Sequence, residues 1–217
     1  LESDRSFTNK KILITCGPVW TRIDPVRVIS NTSSGELGHI LCALLSKKGA
    51  KITMLQGPVT HPFRDPKVRV RPFTDFQQLS ALLTQELTRK RYDIVIHAAA
   101  VCDYQVKKAY RTKISSGRSC LRLDLVPTPK LINRIKKIDP NVFLVGFKLQ
   151  THSTKASLIK KAQQLIAQAD CDLVLANKLM DQKYCGYLLD KQTGLSRPAG
   201  SRSKIAQQLI NLLKKKI

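Results

Sequence analysis

SNTSSGELGHILCALLSKKGAKITMLQ, residues 30–56, is the stretch that decides the fold. Small and hydroxylated residues run into Gly35, after which Leu37, Ile40, Leu41, Leu44 and Leu45 repeat at i, i+3, i+4, i+7 and i+8. That spacing predicts a helix with one buried face. It ends at Lys47-Lys48-Gly49, with cations in the last turn and glycine just beyond, as a helix C-terminus favours. Lys51–Gln56 then reads as a strand. Upstream, the apolar run Lys11-Ile-Leu-Ile-Thr15, stopped by Gly17-Pro18, predicts an earlier buried strand. A long polar connection joins it to the helix, making a β-loop-α-β unit.

The alternation continues along the chain. Strands are predicted at Val68–Val70, Tyr92–Ala98, Val142–Phe147 and Leu173–Ala176. Helices are predicted at Asp75–Arg91, Thr128–Ile138, around Leu158–Ala169, and at Ser203–Lys216. This order argues for an α/β fold: a Rossmann-like, mostly parallel sheet with helices on both faces. Two stretches break the rhythm. Leu121-Arg-Leu-Asp-Leu125 has the period of two of a half-exposed strand, and Tyr184–Pro198, with Gly186 and Gly194, suits a hairpin. Both are expected as small β additions. The expected organisation is an N-terminal tail over 1–10 and one Rossmann-like domain over 11–217.

Thirty-eight Lys+Arg against 15 Asp+Glu leave a formal charge of +23 over 217 residues, with 42% hydrophobic residues. The composition is globular and excludes a disordered basic tail. No apolar run reaches the roughly 20 residues of a membrane helix, and Leu1–Lys10 is polar, so a cytoplasmic location without membrane association is expected. The cysteines at 16, 42, 102, 120, 171 and 185 form no C-x-x-C pair and read as reduced, mostly buried thiols. So basic a chain suits anionic partners, among which charge alone does not choose.

The Ser30–Gly38 junction offers a place for phosphate, because a helix N-terminus presents unpaired N–H groups and partial positive charge. Capping of the helix by Ser33 or Ser34 would explain the same hydroxyls. A dinucleotide reductase is a rival reading, since Tyr104 and Lys108 have a Y-x-x-x-K spacing. There, however, the glycine-rich turn follows the first strand directly, whereas about twenty residues separate Thr15 from Gly35.

Several segments, in order, closely resemble the phosphopantothenate–cysteine ligase (phosphopantothenoylcysteine synthetase) family, in a form without the flavin decarboxylase half. They are Thr15-Cys-Gly-Pro18, Ile23-Asp-Pro-Val-Arg-Val-Ile-Ser-Asn-Thr-Ser-Ser-Gly35, Ala98-Ala-Ala-Val-Cys-Asp-Tyr104, Lys113-Ile, Pro127-Thr-Pro129, Val145-Gly-Phe-Lys-Leu-Gln-Thr151 and Ala176-Asn177. The resemblance implies an enzyme of coenzyme A synthesis that joins 4′-phosphopantothenate to cysteine. A nucleoside triphosphate, CTP or ATP, activates the carboxylate as an acyl-nucleotide and releases pyrophosphate; the cysteine amine then displaces the nucleoside monophosphate. Mg²⁺ is expected with the triphosphate, since no carboxylate cluster suggests a dedicated metal cage, and no flavin is expected.

By the same resemblance, Asn31 is associated with the acyl-nucleotide, where an uncharged amide can donate to a developing oxyanion. Lys113 matches a mobile-loop lysine linked to turnover of the intermediate. Gly17, Ser33, Gly35, Gly38, Phe147 and Asn177 match nucleotide-contacting positions. Ala99, Ala100 and Asp103 match the substrate side, small residues there letting a phosphate reach backbone N–H groups; close helix–strand packing is the alternative reading. Arg27 matches an arginine offered to a neighbouring subunit's phosphopantothenate, which implies a homodimer; a surface ion pair with Asp24 is its alternative. The sequence departs from the family pattern at Val19-Trp20, at Lys178, and at Leu165 and Ala169, where CTP-using bacterial members commonly carry lysines. Phe147-Lys-Leu-Gln-Thr151 is nearer the ATP-using eukaryotic pattern, so nucleotide choice stays open. The alternative function is a catalytically inactive member whose basic surface binds nucleotide or nucleic acid, although no aromatic-rich basic groove supports nucleic acid.

Overall fold

The computed structural model describes residues 4–117, 119–180 and 183–217. In chain order the strands and helices are β1 (Lys11–Cys16), β2 (Thr21–Arg22), β3 (Val28–Ile29), α1 (Glu36–Lys47), β4 (Lys51–Gln56), β5 (Val68–Pro72), α2 (Phe76–Arg89), β6 (Ile94–His97), β7 (Tyr104–Val106), β8 (Leu125–Pro127), α3 (Ile132–Ile138), β9 (Phe143–Thr151), α4 (Lys155–Ala169), β10 (Leu173–Met180), β11 (Lys183–Asp190), β12 (Gly194–Leu195) and α5 (Arg202–Lys216). The main sheet has the order β12-β11-β10-β9-β6-β1-β4-β5. Its β5-to-β10 portion is parallel, and β11 and β12 add antiparallel at one edge. From β1 the chain winds outward through β4 and β5, then returns to lay β6, β9 and β10 on β1's other side. The winding reverses between β1 and β6, and ligands of doubly wound sheets bind at such a reversal, beyond the strands' carboxyl ends.

Side-chain alternation divides the core. Ile12, Ile14 and Cys16 of β1 face α1 and α5, meeting Leu41, Leu45 and Leu209. Leu13 faces the other way, into a cluster with Leu79 and Leu83 of α2, Ile135 of α3 and Leu158 of α4. Phe7, in the segment expected as a tail, is buried in the first cluster, and its N–H donates to Lys48 O at 3.1 Å. Glu86 of α2 is a buried carboxylate at 2% exposure. Burial opposes its ionisation, but the Tyr92 hydroxyl at 2.5 Å, Arg71 at 2.5 Å and Lys90 at 3.3 Å hold its pKa below the usual range. Through Arg71 it ties α2 to β5.

Two expectations need correction. Only Leu125 of the Leu121–Leu125 run enters a strand: β8 pairs Leu125–Pro127 with Tyr104–Val106, and Leu121 to Asp124 lie outside any strand. The helix expected from Thr128 begins at Ile132. Thr128 precedes Pro129, which disfavours helical backbone, and its hydroxyl is committed to Cys102 O. The hairpin over Tyr184–Pro198 forms as β11–β12, with Leu189 opposite Leu195.

The insertions after β1 and β6 come together. Thr21 Oγ1 donates to Tyr104 O at 3.4 Å, Tyr110 N to Ile23 O at 2.8 Å, and Ile114 N to Asp24 Oδ2 at 3.1 Å. Because both insertions leave carboxyl ends of strands, this small β lobe is set at the functional end of the sheet.

Candidate active site

The N-terminus of α1 differs from those of the other long helices. Asp75, Thr154 and Ser201 cap α2, α4 and α5 by accepting an N–H three residues on. At α1 the cap residue is Gly35, at φ +75° and without a side-chain cap bond. The hydroxyls of Ser33 and Ser34 make only 3.4 Å contacts with Gly35 N and Glu36 N, so neither reproduces the capping reading. N–H groups of the first turn therefore remain for a ligand. A Cβ at Gly35 would come within 3.0 Å of Val59 in a backbone conformation L residues rarely adopt. At Gly38 a Cβ would lie 2.4 Å from Cys16 Cβ, so this glycine lets α1 press onto β1.

This helix end forms one wall of a cleft of about 510 Å³. Residues 31–38, Ala98–Val101 just beyond β6, Phe147–Leu149 within β9, and Asn177, Tyr184 and Arg202 line it. Arg202 pairs with Glu36 at 3.4 Å and lies over the Tyr184 ring, 5.4 Å from its centroid. The guanidinium thus offsets the one carboxylate in the first turn of α1. Asn31 sits at the mouth of the cleft, its Nδ2 donating to Ala100 O at 2.9 Å and lying 3.7 Å from Cys102 Sγ. A carbonyl can only accept, which fixes the amide's orientation. The Asn31 donor is already engaged and its Oδ1 is the free end among the described residues, so donation to an oxyanion requires exchange of the weak sulfur contact.

On the opposite face of the sheet, α3 and α4 bound a second cleft of about 230 Å³. Asp103, Thr128, Lys130, Lys148, Lys161 and Gln164 are among its polar residues. Lys130 is paired with Asp103. His97 closes its floor, Nδ1 lying 3.0 Å from Thr15 Oγ1, and burial lowers its pKa to about 4, so the ring is neutral at pH 7. The two clefts share Ala99, Val101, Phe147 and Lys148.

Most of the expected site residues converge here. Asn31, Ser33, Gly35, Gly38, Ala99, Ala100, Phe147 and Asn177 line the first cleft; Ala99, Phe147 and Asp103 line the second. Gly17 lies beneath, lining neither, and its carbonyl accepts from Ala100 N at 2.9 Å. Of the two readings of the alanines, close packing fits the structure better, because Ala99 N is bonded to Thr15 Oγ1 and Ala100 N to Gly17 O. Those N–H groups are committed, so smallness there serves close approach and not phosphate binding. Arg27 and Lys113 line neither cleft. Arg27 Nη1 pairs with Asp24 Oδ2 at 2.5 Å and donates to Ile114 O at 3.2 Å, beside the exposed Lys113. Burial opposes ionisation of Asp24, yet bonds from Ile114 N, Val26 N and Arg27 hold its pKa near 2. Sequence reasoning missed Lys148, Tyr184 and Arg202. The Phe147-Lys148 segment was in view, but only the tertiary arrangement carries Tyr184 and Arg202 to the cleft. At the departures, Leu165 lines the second cleft while Ala169 is buried in the core.

Fold and site together define a Rossmann-like α/β protein with an open helix N-terminus at the winding reversal and two clefts meeting around β9 and the carboxyl end of β6. The chain belongs to the family described as the DNA/pantothenate metabolism flavoprotein C-terminal domain, which matches residues 7–216. It is 39% identical over 176 residues to the coenzyme A biosynthesis bifunctional protein CoaBC of Thermococcus kodakarensis, a match covering 81% of this chain and 43% of that protein. The chain spans about half the length of the curated relatives it matches. The crystal structure of the DNA/pantothenate metabolism flavoprotein from Streptococcus pneumoniae is 26% identical, covers 96% of this chain and 100% of its own, and superposes with a TM-score of 0.85. A Cab2 mutant in complex with phosphopantothenate-cysteine shares the fold at 19% identity, with a TM-score of 0.77 over 97% of this chain and 87% of that one.

Proposed function

We propose that this protein ligates 4′-phosphopantothenate to cysteine, using CTP or ATP to form an acyl-nucleotide intermediate. The observation that carries the reading is the placement of Asn31 between the open N-terminus of α1 and the end of β6, in a chain of this family. The relatives' naming for coenzyme A biosynthesis and the phosphopantothenate-cysteine bound to the Cab2 mutant support the substrate class. In this reading the first turn of α1, with Ser33 and Gly35, receives phosphate oxygens. Phe147, half-buried between the clefts, offers its ring to the base, and Asn177 an amide at the same wall. Asp103 and Ala99 bound the substrate side. No group of three His, Cys, Asp or Glu suited to a metal lies among the described residues; Mg²⁺ would enter as the triphosphate complex, supplying charge neutralisation. No flavin enters this reading. No described helix is long and apolar enough to cross a membrane.

The same proposal includes a homodimer. Among the described residues, five of the seven large apolar side chains that are well exposed, Val26, Tyr104, Tyr110, Leu121 and Leu125, lie on the insertions that form the small lobe. A concentrated apolar surface of this kind favours association. It would carry Arg27, 40% exposed despite its ion pair, and Lys113 toward the partner's clefts. The test is an assay of purified protein with phosphopantothenate, cysteine, Mg²⁺ and each nucleotide. Adduct and pyrophosphate are expected with at least one, and failure with both would overturn the reading.

A further inference from the structure

The two clefts share four residues, and Lys148 is the charged one among them. Along β9, alternation directs Phe143, Val145 and Phe147 toward the α1 and α5 face. Gly146 faces α3 and α4, where an added Cβ would meet Cys171, Ile132 and Leu165. Lys148 follows on the same strand, paired opposite Ala176 of β10 and half-buried between both spaces. The other cations of the walls are placed differently. Lys130 pairs with Asp103 and Arg202 with Glu36, while Lys161, also without an ion pair among the described residues, lines the α3–α4 cleft but not the other. Among the described residues, the Lys148 ammonium has neither an ion pair nor a side-chain hydrogen bond.

Resting on the ligase reading above, we propose that Lys148 is a catalytic residue of the activation step, holding the attacking carboxylate and the α-phosphate against each other. In that step a carboxylate oxygen forms a bond to the α-phosphorus, the bond from that phosphorus to the bridging oxygen breaks, and the electron pair leaves with pyrophosphate. No proton is transferred. Two anions must approach, and negative charge moves onto the leaving oxygen. A cation on the wall common to both binding spaces lowers that repulsion, and its attraction is strongest where charge concentrates in the transition state. The second step, attack of the cysteine amine on a formed acyl-nucleotide, has no such anion–anion encounter. The role therefore separates the half-reactions.

The test uses the full chain as wild type, Lys148→Met, which keeps most of the side chain's length, and Lys148→Arg, which keeps the charge. Single-turnover pyrophosphate release is measured with phosphopantothenate, Mg²⁺ and saturating nucleotide. Ligation is measured separately from chemically synthesised acyl-nucleotide and cysteine. Lys148→Met is expected to slow pyrophosphate release by about 10²–10³-fold, the scale seen on removing one transition-state donor. Its ligation rate should stay within about threefold, its nucleotide Kd should move less than about tenfold, and Lys148→Arg should recover most of the first step. Equal losses in both half-reactions, a loss confined to nucleotide affinity, or an unchanged first step would each overturn the assignment. A wild type that releases no pyrophosphate would overturn the ligase reading and this assignment with it; an active wild type with an unimpaired Met variant overturns the assignment alone.

Discussion

Asn31 is held by two acceptors, Ala100 O and Cys102 Sγ, on an otherwise exposed side chain. Its replacement by alanine removes the amide from the cleft without opening a buried cavity. Asn31→Ala is expected to lower the rate of adduct formation by about 10²–10³-fold, with stability changed by less than about 1 kcal/mol in urea titration. Lys113 predicts a different failure, because it lies on the lobe and lines neither cleft. Lys113→Gln should still release up to about one pyrophosphate per site but form little adduct, since closure over a formed intermediate matters after activation. Normal turnover by that variant would make Lys113 a solvated lysine. His97 gives a pH prediction. Burial lowers its folded pKa from 6.5 to about 4, so between those values the unfolded chain binds more protons. Stability is then full above pH 6.5 and lost as pH falls toward 4, by about 3 kcal/mol from this group. Urea midpoints at pH 7 and pH 4.5 should show a larger drop for wild type than for His97→Asn.

At the level of elements, the pressing of α1 onto β1 fixes the geometry of the cleft. Gly38→Ala would place a methyl 2.4 Å from Cys16 Cβ, and Cys16 is buried with nowhere to withdraw. The helix must back away, at about 1–3 kcal/mol of stability. Nucleotide affinity should fall with it, measured by calorimetry beside urea unfolding. The helix itself was legible, since five apolar residues from Leu37 to Leu45 fall on one face. The strand order was legible in class because apolar runs alternate with amphipathic ones. What escaped depended on partners distant in sequence. Alternation at Leu121–Leu125 implied a strand, but only Leu125 finds pairing, opposite Val106. The helix start near Thr128 was obscured because Pro129 and the Thr128–Cys102 bond act on backbone that periodicity does not register. Asn31, Phe147 and Asn177 were legible through motif resemblance. Lys148, Tyr184 and Arg202 were not singled out, because the first needs knowledge that two clefts share a wall, and the others need α5 and β11 brought to α1.

For the whole molecule, a formal charge of +23 on 217 residues suits anionic substrates but is more than one site requires. The exposed apolar residues of the lobe give a sharper expectation. Light scattering should report about twice the 24.4 kDa chain mass, and Leu125→Asp should shift it toward the monomer. Mixed, subunit-exchanging Arg27→Ala and Asn31→Ala proteins should regain part of the activity each has lost, because one site of the mixed dimer keeps both groups. A strictly monomeric active protein would contradict this arrangement. The central claim is activation of a carboxylate by nucleotidyl transfer. It is met most directly by quenching a single turnover of wild type with phosphopantothenate, Mg²⁺ and CTP or ATP, with cysteine left out, and resolving the products by mass. The account predicts an acyl-nucleotide and an equal amount of pyrophosphate with at least one nucleotide. Neither species with either nucleotide, or release of nucleoside diphosphate and phosphate instead, would contradict it.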